Sequence, residues 1–230
     1  MTARDSHDLE RARRYWEKQA PRYDRLISFF ERVLFGDGRQ WACSQARGEV
    51  LEVAAGTGRN LPYYRPDVRL TVTDFSAPML ELARSRARDL GTEAEFQLAD
   101  AQALDFPDER FDTTVCTLGL CSVPDDRQAV AEMTRVLRPG GQLILLEHVR
   151  SPNRAVRSVQ RVLDVPSVRF SCDHLTREPL DRVREQGLEI EEFVRSKAGI
   201  VERLRARKRL AARIADMGTG EQHDATPSAR

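Results

Sequence analysis

Between residues 47 and 150, short apolar runs alternate with longer segments whose apolar residues recur every three or four positions. The short runs lie near 49–54, 69–74, 94–99, 111–117 and 142–148, and each predicts a strand. Ser76 followed by Pro78 opens one intervening helix, with Met79, Leu82 and Ala83 on one face. Asp125 or Asp126 caps another, with Val130, Met133, Val136 and Leu137 inward, and Pro139-Gly140-Gly141 ends it and turns into the next strand. Strands alternating with helices in this way predict a parallel sheet joined by right-handed crossovers.

The two ends depart from that rhythm. Residues 7–46 read as helix, with Leu9, Ala12, Tyr15, Trp16, Ala20 and Tyr23 at three- and four-residue steps. Pro21 predicts a break into two pieces, Gly36-Asp37-Gly38 a turn, and Trp41–Ala46 a further helix. Residues 151–175 read as basic and irregular. A helix from Glu178 to Gln186 stops at Gly187, Leu188–Val194 is strand-like, and Ala198-Gly199 turns towards a final segment from Ile200 that fits strand or helix. The expected organisation is N-terminal lid helices over 1–46, a main domain over 47–217 and a disordered tail over 218–230.

Candidate chemistry clusters where strands end. Val50-Leu51-Glu52-Val53-Ala54-Ala55-Gly56-Thr57-Gly58-Arg59-Asn60 runs from a strand into a small-residue turn, and Gly56 and Gly58 let a ligand approach the backbone. Asp74 closes the second strand, eighteen residues after Gly56, and Asp100 closes the third. That spacing suits an acid placed on a ribose hydroxyl, so the pattern points to a nucleoside-bearing cofactor at the carboxyl edge of the sheet. A nicotinamide fingerprint would need a third glycine where bulky Leu61 stands, which argues against a dehydrogenase.

Composition narrows the setting. The chain has 230 residues, enough for one domain with a full core, and a formal net charge of +1 that gives no reason to expect a polyanionic partner. There is no run of about eighteen apolar residues, and Met1–Asp8 holds no apolar signal core, so a cytoplasmic protein is expected. Cys43, Cys116, Cys121 and Cys172 lack Cys-x-x-Cys spacing and read as reduced thiols, mostly buried. Aromatics make up only 7%, which leaves few platforms for stacking nucleic-acid bases.

Taken together, these motifs resemble class I S-adenosylmethionine-dependent methyltransferases over about residues 10–205. Glu52–Gly58 is similar to the family's E/D-x-G-x-G-x-G motif, with Ala54 in place of the first glycine. Asp74 matches the ribose-binding acid and Asp100-Ala101-Gln102-Ala103-Leu104 the adenine loop. Phe111–Val115 matches the fourth strand, and Val136–Gly141 the turn before the fifth. The resemblance implies a Rossmann-like, seven-stranded, mostly parallel sheet with helices on both faces, and S-adenosyl-L-methionine as cofactor. It places the cofactor against Tyr23, Glu52, Ala54, Gly56, Thr57, Gly58, Asn60, Asp74, Phe75, Met79, Asp100, Ala101, Gln102, Thr117 and Leu118.

Tyr15–Asp24 is similar to the N-terminal helices of the quinone-biosynthesis and phospholipid N-methyltransferase group. Cys116–Val123, Glu147-His148-Val149 and His174–Glu178 resemble thiol methyltransferase-like proteins. The implied acceptor is a small, lipophilic molecule or a lipid, with a thiol methylase and a non-catalytic cofactor-binding domain as alternatives. Nucleic-acid base methylation is disfavoured. Cys116-Thr117-Leu118-Gly119 stands where an Asn/Asp-Pro-Pro-aromatic box belongs, and there is no Pro-Cys pair.

Methyl transfer from a sulfonium rests on alignment and needs no metal. Glu147 and His148 end the fifth strand and His174 follows Asp173, so these three are the candidate catalytic groups. His148 either takes a proton from the acceptor or braces backbone, and Asp173 with His174 either forms an orienting pair or points apart. Arg150, Arg154, Arg157 and Arg161 would form a basic stripe on a helix beside Val156, Val159 and Leu163. Such a stripe suits either a peripheral contact with anionic lipid or a solvated face. Nothing in the pattern assigns an oligomeric state.

Overall fold

The computed structural model describes residues 3–210; the tail expected over 218–230 lies outside them. Seven strands form one sheet in the order β3-β2-β1-β4-β5-β7-β6. They are β1 (Glu49–Val53), β2 (Arg69–Asp74), β3 (Glu95–Leu98), β4 (Phe111–Thr117), β5 (Leu137–His148), β6 (Glu189–Ser196) and β7 (Val201–Arg207). The first five run parallel, and β7 pairs antiparallel with both β5 and β6. The segment from Ile200, open to either reading in the sequence, is therefore strand.

Six α-helices connect or flank them: α1 (Ala3–Phe30), α2 (Gly38–Ser44), α3 (Ala77–Leu90), α4 (Asp126–Arg135), α5 (Arg154–Ser171) and α6 (Pro179–Glu185). Ser76 caps α3 by accepting from the Met79 amide. Asp125, rather than Asp126, caps α4 by accepting from Gln128. The α4 helix stops at Arg135, before the Pro-Gly-Gly sequence. That sequence lies inside β5 and is absorbed by a register shift between Phe111 and Thr113.

Period-two alternation sorts the core. On β1, Leu51 and Val53 pack with Val130 and Met133 of α4 and Val183 of α6, while Val50 packs on the other face with Ala42 and Cys43 of α2 and Leu80 of α3. On β5, Leu143 and Leu145 take the first face and Ile144 the second. Leu146 meets Phe35 and Val201. These two faces fix which way the residues at the strand ends point.

Two expectations fail here. The α1 helix runs unbroken through Pro21, and residues 154–171, read as irregular, form α5 with Pro166 inside it. Both prolines are exposed, so the carbonyl one turn earlier that loses its partner lies on the solvent side and water can satisfy it. A π-helical turn, Glu31–Phe35, follows α1.

Candidate active site

The turn after β1 is built around three positive-φ residues: Ala54 at 55°, Gly56 at 58° and Gly58 at 73°. At Gly58 a Cβ would lie 2.8 Å from Leu61 and 2.9 Å from Ala83, so this glycine lets α3 pack closely. At Gly56 a Cβ would meet only the Tyr23 ring, at 3.8 Å, and that backbone is open to a ligand. Asp74 is buried; its Oδ2 accepts from the Gly56 amide at 2.7 Å and its Oδ1 from Ser76 at 2.9 Å. Burial pushes its carboxyl up to about 6 against those two amides. A carboxylate has about four acceptor sites, so two remain for hydroxyl donors and the residues fit a ribose.

Asp100 accepts from the Gln102 amide at 2.9 Å, and Gln102 Oε1 accepts from Asp125 at 2.9 Å, which braces the loop after β3. Ala54, Phe75, Asp100 and Ala101 line a cleft of about 20 Å³ under Leu9 of α1. A neighbouring cleft of about 270 Å³ shares Leu9, Phe75 and Asp100. With α1 in this position the inner cleft is too small for a nucleoside. Met79 is buried at the start of α3 and lines neither cleft.

Several residues expected at the cofactor meet in a buried polar network. Arg39 donates to Asn60 Oδ1 at 2.8 Å and to Thr117 Oγ1 at 2.7 Å, and Asn60 donates to Glu52 at 2.9 Å. Glu52 shares its strand face with Val50, and burial pushes its carboxyl up to about 7. Arg39 and Arg59 grip opposite oxygens of Glu31, through Nε contacts of 2.8 and 2.9 Å. Asp24 accepts from Thr57 at 2.6 Å and pairs with Arg59 and Arg86. The network ties the end of α1 and the π-helical turn to the glycine loop. The sequence pattern gave no sign of it, since Arg39 and Glu31 look like ordinary helix-surface charges.

A second, larger cavity of about 500 Å³ lies between α1, the π-helical turn and α5. Trp16, Tyr23, Ile27, Phe35 and Leu118 give it apolar walls, and Gln19, Gln160, Ser171, Cys121, His148 and Asp173 bring polar groups to it. Tyr23 touches both this cavity and the space over Gly56, so the two chambers adjoin. Leu118, on the loop after β4, holds φ at 55°, an unusual conformation for a bulky side chain.

His148 lines the cavity, and its Nε2 lies 3.1 Å from Asp173 Oδ1. Burial works to lower the imidazole value, but the Asp173 bond and charge outweigh it and hold His148 above its ordinary range. The Asp173–His174 pair considered from the sequence does not form; Asp173 turns to His148. The His174 backbone amide bonds to the Cys121 carbonyl at 2.9 Å, and its side chain lies with Arg177 and Asp126 outside the cavity.

Glu147 points to the opposite sheet face. Its Oε1 accepts from Gly119 at 2.9 Å and Leu120 at 3.0 Å, bracing the loop after β4, and it does not line the cavity. Burial pushes it up to about 7. One polar side-chain atom each of Cys121, His148 and Asp173 lies within 4.8 Å of the others; His148 bonds to Asp173, and the Cys121 thiol donates to the Leu118 carbonyl. All four cysteines are free and buried.

The profile of a methyltransferase domain family matches residues 51–145. Among curated proteins, phosphatidylethanolamine N-methyltransferase of Cereibacter sphaeroides is 41% identical over 118 residues, covering 50% of this chain and 58% of that protein. Demethylmenaquinone methyltransferase of Thermus thermophilus is 38% identical over 156 residues, covering 62% and 68%. The matched segment therefore spans 58% of the length of the first of these relatives and 68% of the second. An S-adenosylmethionine-dependent methyltransferase structure from Thermotoga maritima superposes with a TM-score of 0.66 at 21% identity, over 86% of this chain and all of that one. The likeness in fold agrees with the sheet order and the glycine turn, and with the curated relatives it places the chain in the class I S-adenosylmethionine-dependent methyltransferase family.

Proposed function

We propose that this protein transfers a methyl group from S-adenosylmethionine to a small lipophilic acceptor, a phospholipid amine or a quinone-like ring. One observation carries the acceptor class: a cavity of about 500 Å³ with aromatic and aliphatic walls adjoins the cofactor turn and is open. A regulatory domain without an acceptor would have no need of that space. The relatives named for a phospholipid amine and a quinone both carry lipophilic acceptors in their names.

When bound, the cofactor supplies an electrophilic methyl group. The chain's own residues position it and keep water out. The open backbone at Gly56, the free acceptor sites of Asp74 and the Asp100–Ala101 turn would hold the methionine, ribose and adenine portions in turn. Helix α1 roofs both chambers through Leu9 and Tyr23, so residues 1–46 act as the lid over the main domain. Alignment of this kind supplies roughly 7–11 kcal/mol of barrier lowering in favourable cases. In the neutral imidazole that donates Nε2–H to Asp173, Nδ1 of His148 carries the lone pair and takes the acceptor's proton.

Incubation with methyl-labelled cofactor and a panel of lipids, quinones and thiols, read by mass spectrometry, tests the assignment. Labelled lipid or quinone is the expected product. Labelled thiols alone would move the acceptor to the thiol class.

A further inference from the structure

Helix α5 buries none of its eighteen residues, although a helix on a soluble domain normally sinks one stripe into the core. Val162 is 73% exposed and Phe170 69%, and with Val159 and Leu163 they share one face of the helix. Across the cavity mouth, the end of α1 presents Phe29 at 68% exposure beside Leu26 and Phe30. Leu26, Phe30 and Val159 are both exposed and part of the cavity lining, so the apolar surface continues into the cavity. Contiguous exposed apolar surface of this kind marks a docking site.

Charge on the same two helices selects the occupant. Arg154, Arg157, Arg161 and Arg169 lie on the face of α5 adjoining the apolar one. Arg22, Arg25 and Arg32 stand exposed beside Phe29 and Phe30. Among the described residues none of these seven has an acidic partner within salt-bridge distance, whereas most arginines elsewhere on the molecule do. Arg150, grouped with the stripe in the sequence, precedes α5 and pairs with Glu178. Apolar side chains flanked by unpaired arginines are the chemistry of a helix lying in an anionic lipid interface.

We infer that the end of α1 and helix α5 dock on an anionic bilayer, with the cavity mouth facing the lipid so that the acceptor enters sideways from the membrane. This inference rests on the lipophilic-acceptor reading and adds the route by which that acceptor arrives. No helix among the described residues is long and apolar enough to cross a membrane, and the contact needs none.

The test is co-sedimentation of the full chain with phosphatidylcholine vesicles, with and without phosphatidylglycerol, at rising salt. Two double variants accompany it: Phe29→Ser with Val162→Ser, and Arg157→Gln with Arg161→Gln. None of the four residues lines the cavity. The wild type should pellet with the anionic vesicles and be released by salt, and each double variant should bind about tenfold more weakly or worse. S-adenosylhomocysteine affinity, read by calorimetry, should be the same in all three proteins and so exclude misfolding. Equal pelleting with both vesicle types, or variants that bind like wild type, would overturn the inference. So would a wild-type dimer in sedimentation velocity that the serine variant converts to monomer, since the face would then belong to a second copy. Failure of the wild type to bind S-adenosylhomocysteine would strike the functional reading and leave the vesicle result standing.

Discussion

Ala54 stands where the family motif has a glycine, at φ 55°. An L-residue in the left-handed region costs about 1–2 kcal/mol, and a glycine there gives back about 0.4–1 kcal/mol in unfolded-chain entropy. Ala54→Gly should therefore stabilise the protein by up to about 1.6 kcal/mol, read by urea denaturation; a loss of stability would mean that the methyl group's contacts outweigh the strain. At the other candidate residues, strand alternation decides. Glu147 and His148 are adjacent in sequence and were legible together as the end of β5, but they occupy opposite sheet faces, and only His148 reaches the cavity. Its partner Asp173 is 25 residues away, a pairing that no local pattern records. As a general base, His148→Ala should lower turnover by about 10²–10⁴-fold with cofactor affinity unchanged. Because Asp173 raises the imidazole value, wild-type activity should climb with pH through a midpoint above the ordinary value of 6.5, and Asp173→Asn should move that midpoint down. A midpoint that ignores Asp173→Asn would remove the pair from the reaction.

At the level of elements, the alternating strands and helices from β1 to β5 were readable because each carries its own period and cap. Ser76, Asp125 and the glycine turn are local signals that act locally. The unbroken course of α1 and the existence of α5 were not readable, for a physical reason. Pro21 and Pro166 break helices whose carbonyls are buried, and here both lie on the solvent side. Helix α5 also lacks a buried stripe, so its apolar residues gave no inward face to detect. The π-helical turn after α1 is held instead by Glu31 between Arg39 and Arg59, which no periodicity shows. Removing one partner from a buried pair costs about 3–5 kcal/mol because the other charge stays buried. Glu31→Ala should therefore cost about 3 kcal/mol in denaturant unfolding and weaken cofactor binding through the freed lid. A loss under about 1 kcal/mol would show that water screens the site.

Across the whole molecule, buried acids set the response to pH. Asp74 is held up to about 6, and Glu52 and Glu147 to about 7, each by burial. A carboxyl that keeps its proton more tightly when folded than when unfolded makes folding take up protons, so stability falls as pH rises from about 4 to about 7. His148, also raised, acts in the same direction, and His174, lowered by burial, opposes these four. Asp112 and Glu132, held low by arginines among other bonds, protect the fold only until pH drops through their depressed values. The urea midpoint should therefore decline between about pH 5 and 8. Glu147→Gln, which keeps an oxygen for the Gly119 and Leu120 amides, should be more stable than wild type at pH 8, with the advantage shrinking towards pH 5. A pH-independent difference would contradict the assignment.

The cavity proposed for the acceptor is likewise assembled from positions far apart in the chain, from Tyr15 to Ile200. The measurement that bears most directly on the account fills it. Val156 lines the cavity from α5 and lines neither of the two clefts beside the glycine turn, so Val156→Trp should occupy the proposed acceptor space. Methyl transfer to the lipophilic acceptor should fall at least a hundredfold, with S-adenosylhomocysteine affinity by calorimetry unchanged. Undiminished transfer by a variant that still binds the cofactor product would show that the acceptor sits elsewhere, and would contradict the account.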